Sequence, residues 1–111
     1  MWRVFGMEIS KSDWKLYRER ISEWQEAYME HLVKGYVDLL NGPENASDKF
    51  WKLEERIKKD RKHPGVVIEV NKGNMLFDIA RLINLGVIAE ADLNGFSEDL
   101  RDAISFFSKE H

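Results

Sequence analysis

The chain has 111 residues, of which 43% are hydrophobic and 33% charged, and its formal net charge is −3. This balance describes one globular domain over 1–111 and excludes both a disordered chain and a strongly basic one. Cysteine is absent, which excludes disulfides, thiolate nucleophiles and cysteine metal sites and fits a reducing compartment.

The N-terminal "MWRVFGMEIS" lacks the apolar region and cleavage site of a signal peptide. No apolar run approaches the roughly 18–20 residues that span a bilayer. The expectation is a cytoplasmic protein with no membrane partner. Four tryptophans, Trp2, Trp14, Trp24 and Trp51, supply core or interface area.

From Ser12 to Gly42 the apolar spacing is helical. Trp14, Tyr17, Ile21, Trp24 and Tyr28 recur every three or four residues, a seam resembling a coiled coil. Beyond Tyr28 the apolar set widens to Met29, Leu32, Val33, Tyr36, Val37, Leu39 and Leu40, which predicts cover on more than one side. Ser12 is the expected N-cap and Gly42-Pro43 the stop. A second helix is expected from Asn45 or Ser47 to His63, because the residue before Pro64 leaves helical geometry. Phe50, Leu53 and Ile57 share one of its faces. The sequon Asn45-Ala46-Ser47 is read as helix-start chemistry.

Residues Gly65 to Asn74, "GVVIEVNKGN", admit two readings. Four β-branched residues before a turn suggest a strand. The first reading is instead a continuous or kinked helix through Leu85, with Gly73 tolerated inside it at about 1 kcal/mol. Met75, Leu76, Ile79, Leu82 and Ile83 mark the central helix, ended by Gly86. A short turn over Ala89 to Leu93 follows. Ser97 then caps a last helix with Leu100, Ile104 and Phe107 inward. The predicted fold is all-α, a small bundle of about four helices with one long N-terminal helix. The alternative is α+β, with a two-stranded ribbon from residues 2–9 and 66–70.

Catalytic and metal motifs are missing. His31, His63 and His111 have no ligand spacing, and His31 is expected to pack near the helix seam. No Gly-rich phosphate loop occurs, and "DLNGFSE" places its glycine fourth where a calcium loop needs it sixth. The expectation is therefore no enzyme, no cofactor and no metal.

The chemistry that does stand out is charge. Seven Lys or Arg face three acids between Lys49 and His63, whereas Ala89 to His111 carries six acids against two basic residues. At about 100° per residue, Lys49, Lys52, Arg56, Lys59 and His63 fall within roughly 80° of one another. Lys58 and Lys62 point elsewhere, and Arg61 points toward the apolar edge. Such a stripe can be a solvated or self-paired face, can meet a protein partner, or can contact phosphates of a nucleic acid. Glu54–Lys58 and Glu55–Lys59 have the spacing of helix-stabilising pairs, and the acidic C-terminal helix could also satisfy the stripe. Trp14, Tyr17, Trp24 and Tyr28 form the candidate aromatic core or interface. The N-terminal half of helix 1 is expected to overhang and seek a second subunit.

The segments "DWKLYRERISEWQEAYMEHL", "KFWKLEERIKKDRKHPGV", "NMLFDIARLINLGVI" and "DLNGFSEDL" together resemble a group of short, functionally uncharacterised bacterial proteins, some labelled "multidrug transporter". The resemblance runs from about Asp13 to Phe107. It implies a bacterial cytoplasmic setting and a helical reading through Val66 to Val70, and it carries no catalytic or binding residues. A transport role would conflict with the missing membrane span. The functional expectation is a non-enzymatic protein-interaction module that self-associates as a homodimer. A nucleic-acid-binding or regulatory protein using the basic stripe is the alternative, and a small-molecule-binding bundle the second.

Overall fold

The computed structural model describes the backbone of residues 3–4 and 7–109 and the side chains of residues 8–107. Among these the chain is all-α, with four helices: α1 (Lys11–Leu40), α2 (Ala46–Asp60), α3 (Met75–Asn84) and α4 (Glu98–Lys109). Single 3₁₀ turns cover Lys72–Asn74 and Glu90–Leu93. Two short strands, β1 (Arg3–Val4) and β2 (Met7–Glu8), pair antiparallel within the N-terminal segment, Arg3 opposite Glu8 and Val4 opposite Met7. The predicted ribbon between residues 2–9 and 66–70 is therefore not formed; Trp2 and His111 lie outside the described residues.

The continuous helix through Pro64 is also corrected. α2 ends at Asp60, because the amides of Lys62 and His63 switch to acceptors three residues back, Lys59 O at 3.3 Å and Asp60 O at 2.9 Å. Val66 and Val67 both donate to His63 O, closing a turn around Pro64. Val67 to Val70 then run with neither helix nor strand pairing. Their β-branched side chains suit extended backbone, but extended backbone becomes a sheet only beside a second strand.

The chain forms two compact units that share α1: one takes the chain as far as Trp24 and again from Glu69, the other is Gln25–Ile68. In the first, α1 presents Tyr17, Ile21 and Trp24 inward at spacings of four and three. They join Met75, Leu76, Ile79 and Leu82 of α3, Leu93 and Phe96 of the connection, and Leu100 and Ile104 of α4. Each fully buried large apolar side chain contributes roughly 1.5–3 kcal/mol. Gly86 at φ 77° ends α3, with its own amide on Ile83 O and that of Val87 on Leu82 O, a Schellman closure.

Two polar devices lock this unit. Ser10, not Ser12, caps α1, accepting from the Asp13 amide at 3.0 Å. Asp13 is itself buried and turns its carboxylate to the start of α4, accepting from Ser97 N at 2.9 Å and Ser97 Oγ at 2.6 Å. Ser97 Oγ in turn accepts from Leu100 N at 3.2 Å, the cap expected from sequence. Arg20 donates to Asp92 O and Asn94 O and lies over the Phe96 ring at 5.5 Å. Gly95, at φ 98°, lies so close that a β-carbon there would sit 3.0 Å from the Arg20 guanidinium.

Asp78 on α3 is half-buried, and loss of hydration raises its carboxyl pKa, with Arg81 opposing. A raised carboxyl pKa means the folded chain holds a proton more tightly than the unfolded one. The folded state thus gains from Asp78 at acid pH and loses that gain as pH rises through the folded value. Asp78→Asn is expected to raise the midpoint of urea unfolding at neutral pH and to flatten its decline between mildly acidic and neutral pH. An unchanged pH profile would show that Asp78 is not the group responsible.

Candidate functional site

The second unit is a helical hairpin. Gln25 Nε2 donates to Pro64 O at 3.0 Å, and the Tyr28 ring stacks on His63 at 4.8 Å and 16°. Gly65 N donates to His63 Nδ1 at 3.0 Å, and His63 Nε2 lies 3.5 Å from Tyr28 Oη. Further along, Tyr36 Oη donates to Asp60 Oδ2 at 2.5 Å. Its hydroxyl is pushed up to about 12, first by burial and then by Asp60. Asn45 caps α2 by accepting from Asp48 N at 2.9 Å, so the sequon's Asn45 serves the helix start.

These contacts orient both helices. On α1, Gln25, Tyr28 and Tyr36 meet the returning chain; on α2, Arg56 and Asp60 reach α1. About 90° around from those directions, at about 100° per residue, lie Met29, Val33, Val37 and Leu40 of α1 and Phe50 and Ile57 of α2. Because the helices run antiparallel, both stripes fall on the same broad side of the hairpin. That side is uncovered. None of the 15 residues of α2 is buried, and no residue of α1 beyond Trp24 is. Val33 is 54% exposed, Phe50 62% and Trp51 63%, with Val37, Leu40 and Ile57 close behind. Phe50 and Trp51 meet edge-on at 4.9 Å and 85°. A groove of about 400 Å³ runs along α2, lined by Phe50, Leu53, Glu54, Ile57, Lys58 and Arg61.

The expected cover over the second half of α1 is thus absent among the described residues, and the overhang is not where the sequence placed it. In the seam, Tyr17 and Trp24 are buried, with ring centroids 6.3 Å apart and Trp24 6.2 Å from Phe96. Trp14 is half-buried with Arg18 over its ring at 5.2 Å, and Tyr28 belongs to the hairpin. The N-terminal half is the covered half. The reason is that residues after Glu69 return to it, which no local pattern announces. His31, expected to pack, is exposed.

The basic stripe lies about 130° around α2 from Phe50 and Ile57, and two of its members, Arg56 and His63, reach α1. Three of its members are engaged: Lys52 pairs with Glu44, Arg56 Nη1 donates to Gly35 O at 3.5 Å, and His63 is held by Tyr28 and Gly65. Lys49 is half-buried and Lys59 exposed, and neither makes a hydrogen bond or ion pair among the described residues. The Glu54–Lys58 and Glu55–Lys59 pairs do not close within 4.0 Å, whereas Glu30–Lys34 does at 3.8 Å. Arg61 falls at the apolar edge as its wheel position requires, its stem lining the groove.

In the first unit, Tyr17 Oη is buried without a hydrogen-bond partner among the described residues, and burial together with the Asp78 carboxylate raises its pKa. It lines neither the α2 groove nor a smaller one of about 240 Å³ beside α4. Among the described residues no three His, Asp or Glu side chains gather as metal ligands, and no helix is long and apolar enough to cross a membrane. The signal for the exposed face was present in the sequence. α2 offers only Phe50, Leu53 and Ile57 on one face, too narrow a strip to cover the broad apolar arc from Tyr28 to Leu40. No family model, curated protein or solved structure matches the chain.

Proposed function

We propose that the protein is a non-enzymatic, cytoplasmic interaction module that docks onto a protein surface through the apolar side of its Gln25–Ile68 hairpin. One observation carries this reading: α2 buries none of its residues while Phe50, Trp51 and Ile57 stand exposed beside Val33, Val37 and Leu40. At roughly 150–250 Å² for a whole aromatic side chain, Phe50 and Trp51 alone leave roughly 250 Å² uncovered. With the four aliphatic residues the patch reaches the order of 600 Å², the upper end of the largest apolar patch on a typical single chain, a patch that often has a binding role.

The alternatives have less behind them. A phosphate-binding stripe needs several free cations, and Lys52 and Arg56 already have partners. The 400 Å³ groove has the volume of a small-ligand site, but α2 alone lines it, so it cannot enclose a ligand.

The test compares proteins retained from an extract of the source organism by the intact chain, by Val37→Glu/Ile57→Glu, and by Lys49→Glu/Lys59→Glu. No residue of either pair is buried, so each variant is expected to keep the parent circular dichroism. The expected result is that specific retention drops at least about tenfold, as for hot-spot loss, in the first variant only. Equal retention by the first variant, or loss confined to the lysine variant, overturns the docking side.

A further inference from the structure

We infer that the occupant of this face is a second copy of the same hairpin, packed as an antiparallel four-helix bundle in which α1 of each copy lies over α2 of the other. The inference rests on the docking reading above and adds the partner and its register.

The first reason is area. A stable interface buries about 800 Å² per partner, and the exposed apolar patch with its charged margins matches that need. Two helices cannot enclose a core, whereas four can, and two identical hairpins provide four with no further chain. Symmetry also requires a self-complementary surface, and this side of the hairpin has one.

The second reason is charge. Along the middle of the α1 stripe one charged residue, Glu26, precedes Met29, Val33, Val37 and Leu40. On α2, Arg61 follows Phe50 and Ile57 at the edge of the stripe, and Glu54 and Lys58 line the same groove. Gln25 meets Pro64 and Tyr28 meets His63, so Glu26 and Arg61 lie at the same end of the hairpin, within about one helical turn in level. A two-fold axis parallel to the helices sets each Glu26 over Arg61 of the second copy. An axis across the helices would instead set Glu26 against Leu40 and strand a carboxylate on apolar surface, which is costly. Glu30 and Glu54 are exposed, where solvent screens them.

The third reason is shape. With α1 over α2, Ile57 falls at the level of the slim Val33 and Val37, and Phe50 at that of Leu40.

Light scattering and sedimentation equilibrium of the purified full chain, from micromolar to millimolar, test this. Twice the chain mass is expected for the parent and a single chain mass for Val37→Glu. Glu26→Arg and Arg61→Glu should each weaken the dimer at least about tenfold, as for a close interfacial charge pair. Mixed in equal amounts they should regain it, because each variant then meets its opposite charge at both symmetry-related contacts. A parent that stays monomeric, or a mixture no tighter than either variant alone, overturns the second-copy assignment. If the parent is monomeric while extract binders still depend on Val37 and Ile57, the second copy falls and the docking reading stands. If neither mass nor binders depend on those residues, both fall.

Discussion

Asp13→Ala is expected to lower the unfolding free energy by about 3 kcal/mol, the cost of removing a charged acceptor and leaving its donors unpaired. Asp13 is 2% exposed and receives both Ser97 N and Ser97 Oγ. Its loss orphans the first amide before α4 and frees the hydroxyl that itself accepts from Leu100 N. The carboxylate thus closes the start of α4 and fastens it to the first turn of α1, 84 residues away. Urea unfolding should show a lower midpoint with an unchanged slope, and the amides of Leu100 and Arg101 should lose exchange protection before those of α3. Asp13→Asn keeps one acceptor oxygen and should cost roughly half as much. A loss under about 0.5 kcal/mol for Asp13→Ala, the scale of an ordinary surface change, would show that the pair contributes nothing beyond a surface cap.

Gly65→Ala is expected to cost about 2 kcal/mol, the middle of the range for overpacking a filled site. Gly65 is buried, and a β-carbon there would run into the ring of Tyr28. That ring cannot retreat freely, because its other commitment is the stack on His63. Relief therefore means giving up the stack, the Gly65–His63 hydrogen bond, or the Gln25–Pro64 contact that ends the hairpin. The His63 ring protons should move toward their free-histidine shifts in NMR spectra as the Tyr28 ring current is lost. Gly35→Ala is the control: nothing lies within 4 Å of its β-carbon position, so it should stabilise α1 by up to about 1 kcal/mol. An unshifted His63 in Gly65→Ala would show that the ring moves without cost.

Local features were legible because they are written within a few residues. Asn45 and Ser97 cap their helices, Gly86 ends α3 at φ 77°, and Met75, Leu76, Ile79 and Leu82 face inward as their spacing requires. Ser12 and Ser10 compete for the same cap two residues apart, and local chemistry favours neither. Val66 to Val70 misled in both directions. β-branched residues favour extended backbone, yet neither a strand partner nor a continuing helix forms there.

The candidate site divides along the same line. That Phe50, Leu53 and Ile57 share a face, and that Arg61 sits at its edge while Lys49, Lys52, Arg56, Lys59 and His63 lie on another, follows from helix geometry alone. Which apolar residues stay uncovered does not. Trp24 and Val37 are equally apolar members of one helix, yet α3, α4 and their connection return to the half that holds Trp24, and only α2 returns to the half that holds Val37. Periodicity says which side chains point together, since that depends on backbone dihedrals a few residues apart. Burial depends on where chain dozens of residues away comes to rest. The sequence by itself determined the all-α class with its long first helix, most of the helix ends and the charge stripes; the structure decided that α2 and α3 are separate helices, that Asp13 is a long-range cap and that the exposed apolar surface lies on the Gln25–Ile68 hairpin.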